Sequence, residues 1–104
     1  MHRSNSYNER FSNEIQNPKY ARAYISELLS NPDEPMTLEE VLRLIAKKMG
    51  TTEFAEFVGE RVQNIDKFIK GHRHPKRETL DKYLRPFGLE TFLTVKSIGK
   101  KKVA

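Results

Sequence analysis

The stretch TEFAEFVGERVQNIDKFIKGHRHP, residues 52–75, predicts two short helices joined by a tight turn. Apolar and small residues recur at helical spacing before the turn, and the same period resumes after it at Val62, Ile65, Phe68 and Ile69. Gly59 lies between the two runs, where the chain must reverse its direction. Two helices that share one core across a glycine turn are typical of a helix-turn-helix.

The second of these helices leaves its polar side chains on the outward face. Cations are suited to phosphates, and amides are suited to base edges in a groove. Asp66 pairs most simply with Lys70 one turn on, although it could also accept from a cytosine amine. The outward set as a whole predicts contact with double-stranded DNA: Arg61, Gln63, Asn64, Asp66, Lys67 and Lys70.

Length and composition restrict the class of protein. A chain of 104 residues with 37% hydrophobic content can form one small core. Cysteine is absent, which removes disulfides, cysteine zinc sites and thiol nucleophiles. No apolar run approaches the roughly 18 residues of a membrane-spanning helix, and the polar start lacks the apolar stretch of a secretory signal. We therefore expect a cytoplasmic protein that does not bind membranes.

No arrangement of residues in the sequence predicts catalysis. The chain offers no nucleophile with an adjacent base and no glycine-rich phosphate-binding loop, and its acidic residues are scattered over helix faces. His72 and His74 are close together, but without a third ligand nearby they are more simply loop residues than metal ligands. We expect a protein that is not an enzyme and that needs no cofactor or metal.

The charge is divided unevenly along the chain, whose net charge is +5. Up to Gly59 there are seven Lys and Arg against nine Asp and Glu; from Glu60 onward there are twelve against five. Positive charge therefore begins where the second motif helix begins. Such a surface attracts polyanions and displaces counterions from phosphates. Lys100, Lys101 and Lys102 need be no more than a solubilising tail.

The pattern along the chain predicts an all-α, five-helix fold with a short C-terminal β-strand. Residues 1–16 lack a period and predict a flexible N-terminal arm, residues 17–90 a helical DNA-binding domain, and residues 91–104 a terminal strand and basic tail. Asn17-Pro18 opens the first helix, and a capping box begins the second, 38–49. Thr52 is predicted to cap the third helix, which ends at Val58; the fourth covers 62–70 and the fifth 76–85, ended by Pro86.

The strand is predicted over residues 91–96, where apolar, β-branched and aromatic residues alternate in part. A lone strand cannot satisfy its own backbone hydrogen bonds, so it requires a partner. The same strand from a second copy is the simplest partner, which predicts a homodimer.

The motif from Thr52 to Leu89 resembles the lambda-repressor-like (Cro-type) helix-turn-helix family. The resemblance lies in T-x-F-A-x-x-V-G, a helix of about nine residues, G-x-x-x-P and E-T-L-x-x-Y-L-x-x-F-G-L. The preceding run NPKYARAYISELL, residues 17–29, is similar to antidote proteins of bacterial toxin–antitoxin modules, in which the antitoxin represses its own operon. The resemblance implies a dimeric repressor that reads a palindromic operator, with a cognate toxin as a further partner.

The resemblance also assigns residues by position. Arg61, Gln63, Asn64 and Lys67 match the family's base-reading positions. The matching candidates for contacts to the DNA backbone are Thr52, Lys70, Arg73, Lys76 and Arg77. A glutamine or asparagine can form two hydrogen bonds to adenine, and each such pair is worth roughly 1–3 kcal/mol of discrimination.

Two acidic residues keep a second function open. Glu53 stands where the family usually has a glutamine that touches the DNA backbone, and Glu60 stands where it usually has an apolar residue. The alternative is a protein-interaction module that neutralises a toxin and has little or no specific DNA binding. Substitution of Gln63 and Asn64 by alanine distinguishes the two functions. It would abolish operator selectivity if the protein is a repressor, and it would leave partner binding intact if the protein is an interaction module.

Overall fold

The computed structural model describes residues 7–95, which form six α-helices and one 3₁₀ turn. Within these residues no strand occurs, so the predicted all-α class is confirmed. All five predicted helices are present, with boundaries within two residues of those predicted. The elements are α1 (Glu9–Glu14), α2 (Pro18–Leu29), α3 (Leu38–Met49), α4 (Thr51–Val58), α5 (Val62–Ile69), α6 (Arg77–Leu84) and the 3₁₀ turn (Arg85–Phe87).

Helix α3 lies at the centre of the core and contacts each of the other five α-helices. Its apolar stripe is fully buried at Val41, Leu42, Ile45, Ala46 and Met49. The predicted capping box starts it: the Glu40 amide donates to Thr37 Oγ1 at 3.1 Å, and the Thr37 amide donates to Glu40 Oε1 at 2.8 Å. A well-capped central helix therefore holds the others in place.

The N-terminal segment corrects one prediction. Residues 1–16 are predicted to be a flexible arm, yet α1 occupies part of this segment; residues 1–6 lie outside the described residues. Phe11 is 6% exposed and Ile15 is fully buried. The Asn8 side chain caps α1 by accepting from the Phe11 amide. The backbone amide of Asn8 donates to the Lys48 carbonyl at 2.9 Å, which satisfies a carbonyl at the end of α3. Two apolar residues in a polar stretch are too few to show a helical period in the sequence. They are enough, however, to bury one face of α1 against the core.

The C-terminal segment, which we define as residues 91–95, does not form the predicted strand in the single chain. A strand is predicted over residues 91–96, but the C-terminal segment is not a strand, and Lys96 lies outside the described residues. The predicted strand lacks a partner among the described residues, and an unpaired β-prone sequence cannot form a ladder. Thr91 instead binds α6: its amide and its hydroxyl donate to Asp81 Oδ1 at 2.7 and 2.6 Å. These two hydrogen bonds lower the pKa of the Asp81 carboxyl.

Candidate nucleic-acid interface

Helices α4 and α5 are joined by a turn centred on Gly59. Gly59 adopts the left-handed conformation with φ 72°, which L-residues other than glycine rarely adopt. The Glu60 amide donates to the Ala55 carbonyl at 2.9 Å and the Gly59 amide to the Glu56 carbonyl at 3.4 Å. This pair of bonds is a Schellman motif, which ends α4 and turns the chain into α5.

The start of α4 differs from the prediction. Thr52 is predicted as its N-cap, but α4 begins at Thr51, directly after Gly50, and no side chain caps it. Gly50 ends α3 and starts α4 with φ 100°, so the two helices follow each other without a linker. Thr52 therefore lies half-buried in the first turn of α4.

Helix α5 is seated on the core through its middle and its C-terminal end. Ile65 and Phe68 are fully buried, and the Phe68 ring packs against Tyr83 with 5.4 Å between centroids. At the C-terminal end, Arg43 Nε donates to the Phe68 carbonyl at 2.7 Å, and its guanidinium lies over the Phe68 ring. The same carbonyl also accepts from the Gly71 amide at 3.1 Å, and the bond from Arg43 fixes the end of α5 to α3.

The predicted outward face of α5 points away from this core. Arg61, Gln63 and Lys67 are exposed. Asp66 and Lys70 form an exposed ion pair with 3.0 Å between Oδ2 and Nζ, as predicted. Asn64 differs from the other three predicted base-reading residues because it is half-buried. Three of the four predicted base-reading side chains are thus freely accessible.

Glu60, at the turn, has four polar partners and is only 12% exposed. It accepts hydrogen bonds from the Arg61 amide at 3.0 Å and from Asn64 Nδ2 at 3.1 Å. Its other oxygen lies 3.8 Å from Arg73 Nη1 and 3.7 Å from Lys82 Nζ. Burial opposes its ionisation, but the hydrogen bonds and the two cations outweigh burial and lower the Glu60 pKa. The carboxylate therefore connects the turn, α5, the following loop and α6.

These contacts change what two predicted site residues can do. The Asn64 amide nitrogen is directed toward Glu60, whereas its Oδ1 accepts no hydrogen bond from any described residue. A two-bond contact with adenine needs one amide oxygen and one amide hydrogen, and Nδ2 has a second hydrogen for it. Arg73 is half-buried and is partly neutralised by Glu60, so it is a weaker phosphate contact than the sequence predicts.

The remaining candidates for contacts to the DNA backbone fall into two groups. Lys76 is exposed, and no described residue pairs with it. Arg77 is exposed too, but its Nε donates to Thr91 Oγ1 at 2.9 Å, so it also holds the C-terminal segment on α6. Lys76 and Lys70 are thus the cations best placed to reach phosphates without breaking a core contact.

The loop after α5 is held by a charged cluster on α3. His74 Nδ1 lies 2.7 Å from Glu39 Oε2, and the same oxygen lies 2.6 Å from Arg43 Nη2. Burial opposes ionisation of Glu39, but hydrogen bonds from Arg43 and His74 outweigh it and lower the Glu39 pKa. His72 is exposed. Within residues 7–95, no group of three or more His, Asp or Glu side chains is arranged to hold a metal.

Sequence reasoning missed the roles of Glu60 and Arg43. The spacing from Glu60 to Asn64 is one helical turn and could have indicated their contact. Arg73, Lys82 and Phe68 are brought to these two residues only by tertiary packing.

Comparison of the chain with models of protein families, with curated proteins and with solved structures found no match. Among the described residues, no helix combines the length and apolar character needed to cross a membrane. The resemblance to lambda-repressor-like regulators therefore remains a prediction from the motif.

Proposed function

We propose that this protein is a sequence-specific DNA-binding repressor, an autoregulatory antitoxin-like protein that reads a palindromic operator as a homodimer. The observation that carries the proposal is the placement of α5. This helix follows a Schellman turn and is fixed to α3, and it exposes Arg61, Gln63 and Lys67. A rigid helix with outward cations and amides is what major-groove recognition requires.

In this proposal each exposed side chain has a defined task. Gln63 reads adenine through its amide oxygen and nitrogen. Asn64 offers its free Oδ1 to a base amine while Glu60 fixes the amide. Arg61 and Lys67 read guanine or contact phosphates, and Lys70 and Lys76 contact the backbone on either side of the groove.

A dimer would place two copies of α5 in successive major grooves, about 34 Å apart on one face of the duplex. The operator would then be an inverted repeat. Its two half-sites would each be read by one protomer.

Selection from a pool of random-sequence duplexes tests the proposal, because the operator sequence emerges from the selection itself. We expect the full-length protein to enrich an inverted repeat. The matched control is the Gln63→Ala/Asn64→Ala double variant, which retains every cation and should enrich no repeat. If the native protein and the double variant enrich the same sequences, base reading by Gln63 and Asn64 is refuted. If neither protein enriches any sequence, base reading by α5 as a whole is refuted.

The contacts of Glu60 favour a second candidate function. Glu60 neutralises Arg73 and Lys82 in part, which reduces the basic surface beside α5. A protein-interaction module that neutralises a cognate toxin needs no such surface. Under this alternative, the double variant would bind the product of a toxin-like reading frame adjacent in the genome as tightly as the native protein does, while neither would select DNA.

A further inference from the structure

Two cations near the start of α5 converge on one carboxylate oxygen without forming a hydrogen bond to it. Arg73 Nη1 and Lys82 Nζ lie 3.8 and 3.7 Å from Glu60 Oε2, beyond hydrogen-bond distance. The other oxygen, Oε1, accepts from the Arg61 amide and from Asn64 Nδ2, which fixes the carboxylate at the first turn of α5. We name Arg73 and Lys82 the cation pair.

The cation pair has its hydrogen-bond donors unused. Neither side chain donates a hydrogen bond to an acceptor among residues 7–95. An arginine side chain has five N–H donors, and a protonated lysine has three. Charge attraction therefore holds the pair near Glu60, while its capacity for directed hydrogen bonds remains available to a ligand.

The cluster around Glu39 provides a comparison within the same molecule. Arg43 Nη2 and His74 Nδ1 lie 2.6 and 2.7 Å from Glu39 Oε2, so both groups are at hydrogen-bond distance. A carboxylate whose partners are purely structural has its hydrogen bonds completed in this way. The contacts of Glu60 with the cation pair are about 1 Å longer and are not completed.

A buried hydroxyl beside the Glu60 cluster also lacks a partner. Tyr83 is fully buried, and its Oη has no hydrogen-bond partner among the described residues. Burial raises the pKa of Tyr83, so the hydroxyl keeps its proton, and the charges of Arg73 and Glu60 both act on it. Buried polar groups normally have partners, so this cluster is not a closed structural network.

The exposed fractions of the three side chains indicate which of them an incoming anion meets first. Glu60 is 12% exposed, whereas Arg73 and Lys82 are 30% and 44% exposed. The carboxylate therefore lies beneath the cations. Arg61, the residue next to Glu60, is exposed and is a proposed base-reading residue. A duplex contacted by Arg61 would bring its phosphates to the cation pair.

The charge of the cluster favours a phosphodiester over a free phosphate ion. Two cations and one carboxylate leave a net of one positive charge. Each phosphate of a nucleic-acid backbone carries one negative charge, which this net charge matches. A free phosphate ion carries more negative charge at neutral pH, so Glu60 would repel it more strongly.

We propose that Arg73 and Lys82 hold a backbone phosphate of bound DNA, and that Glu60 competes with this phosphate for both cations. Glu60 thereby restrains binding to polyanions in general, because each contact with a phosphate forms at the expense of attraction to the carboxylate. Lys82 joins the DNA-contacting residues, although the sequence motif did not include it. This inference rests on the proposed function only in taking DNA as the ligand of the α5 surface.

Affinity for a mixed-sequence duplex tests the competition, because such a duplex offers phosphates without an operator. We expect Glu60→Gln to bind it about tenfold more tightly than the native protein does, since a negative charge next to the phosphate is removed. Glutamine keeps an oxygen that can accept from the Arg61 amide and from Asn64, and helical circular dichroism checks that the fold is retained.

The matched control is Glu56→Gln, which removes an exposed carboxylate from α4. It should change the affinity for the same duplex by less than about twofold, because the charge it removes is exposed and screened by salt. Equal tightening by Glu56→Gln and Glu60→Gln would show a general effect of net charge and would overturn the proposal.

A double-mutant cycle tests whether the competition acts through Lys82. Lys82→Ala should weaken duplex binding by about threefold in the native protein and by about tenfold in the Glu60→Gln background, where no carboxylate attracts the ammonium group before DNA binds. Lys19→Ala, on α2, should have the same small effect in both backgrounds. Equal losses from Lys82→Ala in the two backgrounds would mean that residues 60 and 82 act independently, and would overturn the proposal.

Acetylation of lysines in the native protein tests the contact without any substitution. Bound duplex should slow the reaction of Lys82 with an N-hydroxysuccinimide ester several-fold and leave Lys19 unchanged, as measured by mass spectrometry. Inorganic phosphate at the same ionic strength should leave Lys82 as reactive as chloride does. Unchanged reactivity of Lys82 in the DNA complex would overturn the contact, and equal protection by inorganic phosphate would overturn the assignment to a backbone phosphodiester.

The selection of operator sequences separates failure of this inference from failure of the proposed function. If an inverted repeat is enriched but Glu60→Gln binds mixed-sequence duplex no more tightly than Glu56→Gln, the inference is refuted and the proposed function stands. If no repeat is enriched while Glu60→Gln binds more tightly and DNA protects Lys82, sequence-specific repression is refuted and the phosphate contact stands.

Discussion

A single carboxylate at the turn controls how the start of α5 is presented. Glu60 accepts hydrogen bonds from Asn64 and from the Arg61 amide, and it attracts Arg73 and Lys82. An apolar residue at this position would pack into the turn but would leave Asn64 free to rotate. Glu60 instead fixes the orientation of the Asn64 amide, at the cost of part of the positive charge nearby.

Replacement of Glu60 by glutamine should remove the part of the protein's stability that Glu60 contributes at neutral pH and loses in acid. The Glu60 pKa is lowered in the folded protein, so its stabilising contribution is complete above the ordinary value of 4.5 and is lost as the pH falls through the folded-state pKa. At neutral pH, Glu60→Gln should reduce the free energy of unfolding by about 1.5–3 kcal/mol, the range for hydrogen bonds to a charged group. Urea unfolding of the native protein and the variant should therefore converge as the pH is lowered below 4.5.

Glu56→Gln, which removes an exposed carboxylate from α4, is the control for this experiment. It should leave stability nearly unchanged at either pH. A difference between native protein and Glu60→Gln that stays constant from neutral to acidic pH would contradict an ionised, ion-paired Glu60.

At the scale of the elements, the turn between α4 and α5 depends on a glycine for backbone reasons alone. A Cβ at Gly59 would meet no heavy atom within 4 Å, so a larger residue is opposed by its φ of 72° and not by a clash. Gly59→Ala should cost about 1–2 kcal/mol of stability, and Gly59→Asn should cost less because asparagine tolerates the left-handed conformation better. Urea unfolding measures both, and an equal cost for the two variants would indicate that the turn had rearranged.

Helix α1 belongs to the core, and this can be tested by one substitution. Phe11 is buried against Tyr24, with 5.1 Å between ring centroids, and Lys48 Nζ lies over its ring. Phe11→Ala should lower the free energy of unfolding by about 3 kcal/mol, since it removes a buried aromatic ring and leaves a cavity. Arg10→Ala on the same helix removes only an exposed ion pair with Glu14 and should cost less than about 0.5 kcal/mol. Equal, small effects of the two substitutions would show that this segment is a flexible arm and not part of the core.

At the scale of the whole molecule, the uneven charge of the chain predicts a steep salt dependence of DNA binding. If each protomer neutralises about five phosphates, the slope of log affinity against log salt concentration should be near −9 for a dimer, since each contact contributes about 0.9. Lys76→Ala should reduce its magnitude by about 2, because a dimer loses one contact from each protomer. The preferred sequence should not change.

Lys19→Ala is the matched control for the salt experiment, because Lys19 is an exposed lysine on α2, outside the basic half of the chain. It should leave the slope unchanged. Fluorescence anisotropy titrations at several salt concentrations measure both variants, and equal slopes for Lys76→Ala and the native protein would remove Lys76 as a phosphate contact.

The C-terminal segment shows where pattern and environment can disagree at this scale. Its apolar and polar residues alternate in part, as in a strand, yet residues 91–95 form no strand. A strand exists only when a neighbour satisfies its amides, so propensity alone cannot establish it. Whether it forms depends on the second copy proposed above.

The sequence alone determined which segments are helical from residue 17 onward and where they turn. Local chemistry is sufficient for this, because the Thr37–Glu40 capping box, the Gly59 reversal and the Pro86 stop each act on their own neighbours in the chain. The exposure of Arg61, Gln63 and Lys67 followed from the same periodicity, since the opposite face of α5 had to be apolar.

Only the tertiary structure decided which polar groups are engaged with one another. Arg73 and Lys82 reach Glu60, and Arg43 reaches Phe68, across gaps in sequence that no local period encodes. Helix α1 likewise could not be predicted from the sequence, because its stability depends on the packing of Phe11 against α2 and α3. The physical reason is the same in each case: burial and charge pairing depend on distances that are set when the helices pack.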